Sequence, residues 1–199
     1  MMNITLRPLL QEQVIAMKEE MQEAFQHGFQ AYCKEDEDDK SNQMTNERKQ
    51  NHACLNFAER GGIRRSQWQV LPDEDYYRSL NAKGAEAYEA IDDDGQRVGG
   101  AIIAIDAVKH HGELSFLYVK VGVQSKGIGQ SIWKAIEALH PEVKMWETCT
   151  PYFDRRNIHF YINCLGFHAV EFFNEHHPDP HMPEQFDQED GLFKFQKCV

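Results

Sequence analysis

A glycine-rich segment at 121–129, Val-Gly-Val-Gln-Ser-Lys-Gly-Ile-Gly, has the residue types that bind a phosphate group. It follows an apolar run and precedes a helical pattern, which places Gly127 and Gly129 at the start of a helix. Glycine lets the backbone approach a ligand closely, and the first helical turn leaves N–H groups with no internal acceptor. Backbone amides over 125–130 would hold a pyrophosphate, helped by the helix dipole and by the charge of Lys126.

Two common phosphate-binding loops do not fit this segment. Gly122 and Gly127 have the spacing of a Walker loop, but Ile128 and Gly129 stand where that loop needs Lys and Ser or Thr. A dinucleotide fingerprint that began at Gly127 would need a glycine where Ile132 stands. The segment matches a third pattern, Gln-x-x-Gly-x-Gly between a strand and a helix.

A second motif lies at 155–167, where the sequence reads Arg-Arg-Asn-Ile-His-Phe-Tyr-Ile-Asn-Cys-Leu-Gly-Phe. Asn157 stands near the start of a predicted helix, Tyr161 follows four residues later, and Gly166 ends the helix. With both motifs in this order and a strand between them, the sequence resembles the GNAT superfamily of acetyl-CoA-dependent N-acetyltransferases. The resemblance covers about 113–173.

The resemblance implies a binding site for acetyl-CoA between two strands that splay apart, those that end near Val121 and Cys149. The pantetheine arm would pair with one strand and the pyrophosphate would lie on the glycine-rich segment. Helix capping is an equally good interpretation of Asn157. The residues assigned to acetyl-CoA are Leu117, Tyr118, Val119, Gln124, Ser125, Lys126, Gly127, Ile128, Gly129, Gln130 and Asn157.

The resemblance also implies catalytic residues. Tyr161 would be the general acid that protonates the departing thiolate, although its helical stripe also fits a tyrosine that only packs in the core. Glu113 and Glu147 are candidate bases for the amine, and each also fits a solvent-facing position on an alternating strand. A chain of water molecules with no dedicated carboxylate is the third possibility. The backbone N–H of Val119 would polarise the thioester carbonyl.

Other reactive side chains are interpreted as non-catalytic. Cys149 invites an acyl-cysteine intermediate, but no recognisable His and Asp partners accompany it, so we expect a buried thiol. The segment His-His-Pro-Asp-Pro-His at 176–181 has metal-binding residue types, but prolines break its spacing. We therefore expect no metal site.

The composition limits the partners. The 199 residues carry a formal net charge of −11, which disfavours nucleic acid and anionic membranes and suits a cationic acceptor.

The five cysteines include no Cys-x-x-Cys pair and are interpreted as reduced thiols. The N-terminus lacks a signal-peptide pattern, and the longest apolar stretch, 98–105, is too short to span a bilayer. We expect a cytoplasmic protein with one domain over 1–199, and the resemblance leaves open a homodimer.

Periodicity predicts the elements that position the motifs. The predicted fold class is α+β, or mixed α/β. The resemblance adds a central, mixed, mostly antiparallel sheet of about seven strands, flanked by helices and splayed between its fourth and fifth strands. The predicted strands are 3–7, 85–91, 97–108, 113–121, 143–149, 167–173 and 192–198. The predicted helices are 11–32, one that starts at Pro72 and ends near Asn81, 129–140 with Ile132, Ile136 and Leu139 on one stripe, and 154–165 with Asp154 as N-cap.

Two segments outside the motifs are expected to differ among relatives and to bind the acceptor, 20–70 and 174–191. Within the first, the charge block at 34–40 is predicted to be a solvated loop, and Cys54, Leu55 and Phe57 could anchor a short helix.

The predicted function is transfer of acetyl from acetyl-CoA to a primary amine, directly in a ternary complex. The acceptor stays open between a small cationic amine, a polyamine, an aminoglycoside and a peptide amine. A catalytically weak CoA-binding regulatory or interaction module is the alternative.

Overall fold

The structure is a computed structural model that describes residues 3–41, 70–123, 127–152, 154–180 and 191–199, with side chains of the first range described to residue 31. The strands are β1 (Thr5–Pro8), β2 (Ala85–Ile91), β3 (Arg97–Asp106), β4 (His111–Val119), β5 (Met145–Pro151), β6 (His168–Phe173) and β7 (Leu192–Cys198). The helices are α1 (Val14–Ser41), preceded by a 3-10 turn (Gln11–Gln13), α2 (Asp73–Leu80), α3 (Ile128–Leu139) and α4 (Arg155–His159), which continues as a π-helix (Phe160–Leu165).

The described strands form one mixed sheet of seven strands in the order β1-β2-β3-β4-β5-β7-β6. Every neighbouring pair is antiparallel except β4 and β5. That parallel pair runs only from His111 opposite Met145 to Glu113 opposite Glu147, after which the two strands separate. The predicted fold class is therefore confirmed, with the sheet splayed between its fourth and fifth strands.

A β-bulge in β4 changes which face its side chains occupy. Ile102 pairs with Phe116 and Ile103 with Leu114, so Ser115 is an extra residue in β4. Leu114 packs in one core cluster, whereas Phe116 packs against the other. Bulges are frequent next to active sites because they redirect side chains.

The two core clusters lie on opposite faces of the sheet. The first includes Trp133 from α3, Trp146 from β5 and Tyr161 from the π-helix. The second includes Met17 and Met21 from α1, which pack with residues of α2, β3 and β4. These buried apolar side chains provide the main driving force for folding. The core holds the glycine-rich helix start and Tyr161 on the same face.

Several predicted elements need correction. The charge block at 34–40 lies within α1 rather than in a loop. Helix continues through it because neither Gly nor Pro interrupts the sequence there, and Glu and Lys are good helix formers. Leu139 is 49% exposed in the last turn of α3, so it does not share the buried stripe of Ile132 and Ile136. Strand boundaries differ from the prediction by a few residues.

The predicted helix over 154–165 consists of α4 and the π-helix. Asp154 is its N-cap and Gly166, with a left-handed φ of 79°, follows its last residue, as predicted. The short helix predicted at Cys54, Leu55 and Phe57 lies outside the described residues. None of the described helices has the length and apolar character that crossing a bilayer requires.

Candidate functional site

The separation of β4 and β5 creates an opening that we call the fork. Its apex is the last strand pair, Glu113 opposite Glu147. One residue further, the Thr148 hydroxyl donates a hydrogen bond to the backbone oxygen of Leu114 at 2.8 Å. Thr148 is only 2% exposed. A side chain therefore takes the place of a ladder hydrogen bond, and the strands diverge from this point.

Tyr161 reaches the fork from the π-helix. Its ring packs among aromatic side chains, with centroid distances of 5.7 Å to Phe195 and 5.8 Å to Phe167. Burial raises the pKa of its phenol to about 12, and a hydrogen bond with the Thr148 side chain acts in the opposite direction. Tyr161 is thus a packed core residue whose phenol is protonated at neutral pH, and its role as general acid stays a prediction.

The π-helix is a second unusual feature of this region. Such segments are rare and occur frequently at functional sites. Here the backbone N–H of Phe167 donates to the Tyr161 carbonyl oxygen at 2.9 Å, across the end of the segment. Tyr161 is the second residue of this π-helix.

The start of α3 lies on the same face as Tyr161. Its N-cap, Gly127, has a left-handed φ of 71°, which other residues adopt at a cost. A Cβ atom at Gly129 would come within 2.9 Å of the Phe160 ring, so this glycine also has a packing role that the sequence did not indicate. Gln130 is half-buried in this first turn, and its side-chain amide donates to the Cys164 oxygen at 3.4 Å.

The electrostatics of this helix start suit an anion. No side chain caps α3, and its first turn contains no acidic residue. By contrast, α2 begins with Asp73, Glu74 and Asp75, and α4 is capped by the Asp154 carboxylate. Within the described first turn of α3, therefore, no carboxylate of the turn itself competes with an anion for the N–H groups and the positive end of the helix dipole. Gln124, Ser125 and Lys126, predicted to complete the loop, lie outside the described residues.

Glu147 is held by several donors. Lys194 Nζ lies 2.6 Å from Oε1, Gln196 Nε2 donates to Oε2 at 3.0 Å, and His111 Nε2 lies 3.4 Å from the same oxygen. Burial alone would raise the pKa of Glu147, but the hydrogen bonds from Lys194 and Gln196 outweigh burial and lower it. Glu147 is therefore an ionised, already paired carboxylate, which makes it a weak proton acceptor.

Glu113 differs from Glu147 in its surroundings. It is exposed, and its Oε1 accepts a hydrogen bond of 3.4 Å from the Ser115 hydroxyl. Paired residues of neighbouring strands point to the same face, so the two glutamates lie side by side. Leu114 points into the core, so both carboxylates lie on the opposite face of the sheet from Tyr161.

We expect Lys194→Met to destabilise the protein by about 1–3 kcal/mol at pH 7, because it leaves a half-buried carboxylate without its charged donor. The lowered pKa of Glu147 contributes stability above its ordinary value of 4.5, and this contribution is lost as the pH falls through the folded value. The cost of the substitution should therefore shrink in acid. Denaturant unfolding at pH 7 and at about pH 3.5 measures this difference.

Lys194→Arg should retain most of the stability, and Lys109→Met, at an exposed ion pair with Asp106, should cost less than about 1 kcal/mol. A cost of Lys194→Met that is equal at both pH values would contradict the assigned pairing.

Cys149 is exposed, so the prediction of a buried thiol was wrong. Desolvation of the sulfur by neighbouring groups, followed by the charge of Glu147, nevertheless raises the pKa of Cys149 to about 12. A thiol with such a pKa is protonated at neutral pH and is a poor nucleophile. This disfavours an acyl-cysteine intermediate.

Asn157 contacts Asp154, the N-cap residue of the helix α4 in which Asn157 lies. Its backbone N–H donates to Asp154 Oδ1 at 2.9 Å and its side-chain amide donates to Oδ2 at 2.7 Å. Burial raises the pKa of Asp154, and the Asn157 backbone bond opposes that rise. The capping interpretation of Asn157 thus has a structural basis, while its side-chain oxygen is the atom that a ligand N–H would use.

Leu117, Tyr118 and Val119, predicted to pair with the pantetheine arm, form the last residues of β4 beyond the fork apex. Their register partners on β3 are Ala101, Gly100 and Gly99. The ring of Tyr118 is buried on the α1 face, where its hydroxyl donates to Glu20 Oε2 at 3.0 Å. Tyr118 can therefore contribute backbone atoms rather than its ring to the fork.

Sequence reasoning missed Thr148 and Lys194. Thr148 is buried between exposed or half-buried neighbours on β5, and Lys194 has its register partner in Cys149, 45 positions earlier in the chain. Alternation marks such residues as inward or outward, but only the pairing of β5 with β4 and with β7 shows what they contact. Across the residues that the structure describes, no group of three His, Cys, Asp or Glu side chains is placed to hold a metal ion.

The family model of the acetyltransferase (GNAT) family matches residues 55–167. The chain belongs to the GNAT family. The uncharacterised protein YrkN of Bacillus subtilis (strain 168) is 49% identical over 137 residues, which are 65% of this chain and 74% of YrkN.

Two solved structures share the GNAT fold with this chain. PaiA N-acetyltransferase from Thermoplasma acidophilum, in complex with coenzyme A, is 18% identical with a TM-score of 0.57 over 100% of both chains. Spermidine N-acetyltransferase from Vibrio cholerae, in complex with CoA and spermine, is 9% identical with a TM-score of 0.60 over 98% of this chain and 95% of that one. At these identities the likeness concerns the fold.

Proposed function

We propose that this GNAT protein transfers the acetyl group of acetyl-CoA to a primary amine, directly in a ternary complex. The observation that carries the proposal is the fork itself. A protonated phenol, Tyr161, lies on one face of the sheet in the same core cluster as Leu114, and two carboxylates, Glu113 and Glu147, stand at the apex on the other face. An acid and a base are thus available on opposite sides of one opening in the sheet.

The binding of the donor follows from two elements on either side of the fork. The pyrophosphate would lie on 124–130 at the start of α3, whose first described turn lacks acidic residues. The pantetheine arm would run along Leu117, Tyr118 and Val119, because the β4 edge beyond Glu113 is not paired with β5. Asn157 would contribute its side-chain oxygen.

Catalysis then needs three contributions from the chain. Glu113, the exposed carboxylate, would accept the proton of the amine directly or through water. The Val119 N–H would polarise the thioester carbonyl. Tyr161 would protonate the departing sulfur, and the ionised Glu147 would attract the cationic acceptor rather than take its proton.

The acceptor would be a cation. The formal net charge of −11 and the adjacent Glu113 and Glu147 favour an amine that arrives protonated and loses its proton at the site. A small amine, a polyamine, an aminoglycoside and a peptide amine all satisfy this condition. Cysteines without a disulfide-type spacing favour a reducing compartment such as the cytoplasm.

Release of free thiol from acetyl-CoA in the presence of a panel of amines tests the proposal. We expect an amine-dependent rate well above hydrolysis without acceptor, and mass spectrometry should find the acetylated amine. Calorimetry with CoA alone provides the independent measure of binding. CoA binding without product from any amine would favour a CoA-binding interaction module instead, and no CoA binding would overturn the proposal.

A further inference from the structure

We propose that Glu20 of α1 is a positioning residue for the acetyl donor, because its carboxylate holds the end of β4 along which the pantetheine arm would lie. This inference rests on the proposed function and deepens it. It concerns the face of the sheet that α1 covers, opposite the face on which Tyr161 packs.

The Glu20 carboxylate binds two residues at the end of β4, one with each oxygen. Oε2 accepts a hydrogen bond of 3.0 Å from the Tyr118 hydroxyl, and Lys120 Nζ lies 3.0 Å from Oε1. Residues two positions apart in a strand point to the same face, so both side chains can reach one carboxylate. Val119 is therefore held through its two neighbours.

The backbone of Val119 is directed toward the fork. The Lys120 N–H donates to the Val98 oxygen at 2.9 Å, which is the direction of β3. Successive residues of an antiparallel ladder direct their N–H groups to opposite edges, so the Val119 N–H is directed away from β3. The Val119 side chain lies by the start of α3, since a Cβ atom built on Gly129 would be 3.7 Å from Val119 Cγ2. The Glu20 contacts thus bear on the residue that would polarise the thioester carbonyl.

Glu20 is itself held by Arg97 of β3. Arg97 Nη2 lies 2.9 Å from Glu20 Oε1, and Arg97 Nη1 donates to Glu89 of β2. Burial would raise the pKa of Glu20, but hydrogen bonds from Arg97, Lys120 and Tyr118 lower it below its ordinary value. The carboxylate is ionised at neutral pH, and hydrogen bonds to an ionised group are the stronger ones. The network joins α1, β2 and β3 to the end of β4.

The Tyr118 ring fits closely between β3 and α1. Tyr118 is 2% exposed, and its register partner is Gly100. A Cβ atom at Gly100 would lie 3.0 Å from Tyr118 Cε1 and 3.1 Å from Met17 Cε of α1. Closely packed contacts of this kind transmit displacements, so loss of the Glu20 contact should shift the end of β4.

Glu20→Gln tests the role, because glutamine keeps the shape, removes the charge and places an amide N–H2 group among donors. We expect the Kd of CoA, measured by calorimetry, to rise about 5–20-fold. ADP has the diphosphate but no pantetheine arm, so its Kd, measured by displacement of CoA, should change less than about twofold. Lys18→Met is the matched control, since it removes an ion pair of α1 with Asp73 at 2.8 Å, and both Kd values should stay near those of the wild type.

Tyr118→Phe removes only the hydroxyl that Glu20 accepts. The Kd of CoA should rise about 3–5-fold in this variant, and by less than about twofold when the substitution is added to Glu20→Gln, because the contact is then already lost. If Glu20→Gln does not fold, Tyr118→Phe must still show the selective loss for CoA, and equal affinities in Tyr118→Phe and the wild type would then refute the role.

Three other results would overturn the inference and leave the transfer reaction itself untouched. Equal weakening of CoA and ADP in Glu20→Gln would assign Glu20 to general stability. An unchanged Kd of CoA in that variant would show that Glu20 does not position the donor. Failure of ADP to displace CoA from the wild type would contradict the separate diphosphate contact on which the comparison depends. Absence of CoA binding by the wild type would instead refute the proposed function.

Discussion

Tyr161→Phe should lower kcat by about 10²–10⁴-fold, the contribution typical of a positioned general acid. The substitution keeps the ring that packs against Phe167 and Phe195 and removes only the hydroxyl. Because the acid acts after the donor has bound, the affinity for CoA should not change. Steady-state thiol release and calorimetry with CoA measure the two quantities.

A matched control is available on β2, in the same core cluster as Tyr161. Tyr88 on β2 is 7% exposed, as is Tyr161, and its hydroxyl also makes a side-chain hydrogen bond, to Glu86. Tyr88→Phe should therefore report the effect of losing a buried hydroxyl without loss of the acid, and its kcat should stay near that of the wild type. A drop in CoA affinity in Tyr161→Phe would reassign Tyr161 to binding, and an unchanged kcat would leave it as a packing residue.

The local parts of the site were predictable from the sequence. Gly127 at the start of α3 and Asp154 at the cap of α4 each depend on residues within one helical turn, so their spacing is sufficient information. The strands predicted at 85–91, 97–108 and 113–121 correspond to β2, β3 and β4, which pair antiparallel in chain order, as consecutive strands joined by short turns commonly do.

The parts that depend on register were not predictable. The bulge at Ser115 changes the faces of β4, and the four residues after it, Phe-Leu-Tyr-Val at 116–119, are all apolar, so no alternation marks the change. The contact of Thr148 with Leu114 depends on where the parallel pairing of β4 and β5 stops. The ion pair of Lys194 with Glu147 depends on β7 lying between β5 and β6. Such contacts join distant segments, and no local pattern encodes them.

The charge block at 34–40 shows the converse error. Its composition was interpreted as a solvated loop, yet α1 extends to Ser41. Solvent exposure and helix formation are not alternatives, because Glu and Lys have high helix propensity and a helix with a polar surface can extend beyond the core. Composition indicated exposure here and gave no information on backbone conformation.

Glu113→Gln should lower kcat/KM by about 10²-fold or more, whereas Glu147→Gln should mainly raise the KM of the amine. The difference follows from the surroundings of the two carboxylates. Glu147 is already bound by Lys194 and Gln196, and these bonds lower its pKa, so it accepts a proton less readily than an ordinary glutamate. Glu113 is exposed, and the Ser115 hydroxyl is the donor described for it, at 3.4 Å. Initial rates over a range of amine concentrations separate kcat from KM.

Conservative variants make the comparison sharper. Glu113→Asp keeps the charge but withdraws it by one methylene, so it should recover part of the rate if Glu113 takes the proton. Glu147→Asp should recover the KM if Glu147 only attracts the cation. Since both glutamates occupy the same register position at the fork apex, a general disturbance of the apex would affect the two Gln variants equally. A larger kcat loss in Glu147→Gln would exchange the two roles, and a small loss in both would indicate that water alone carries the proton away from the amine.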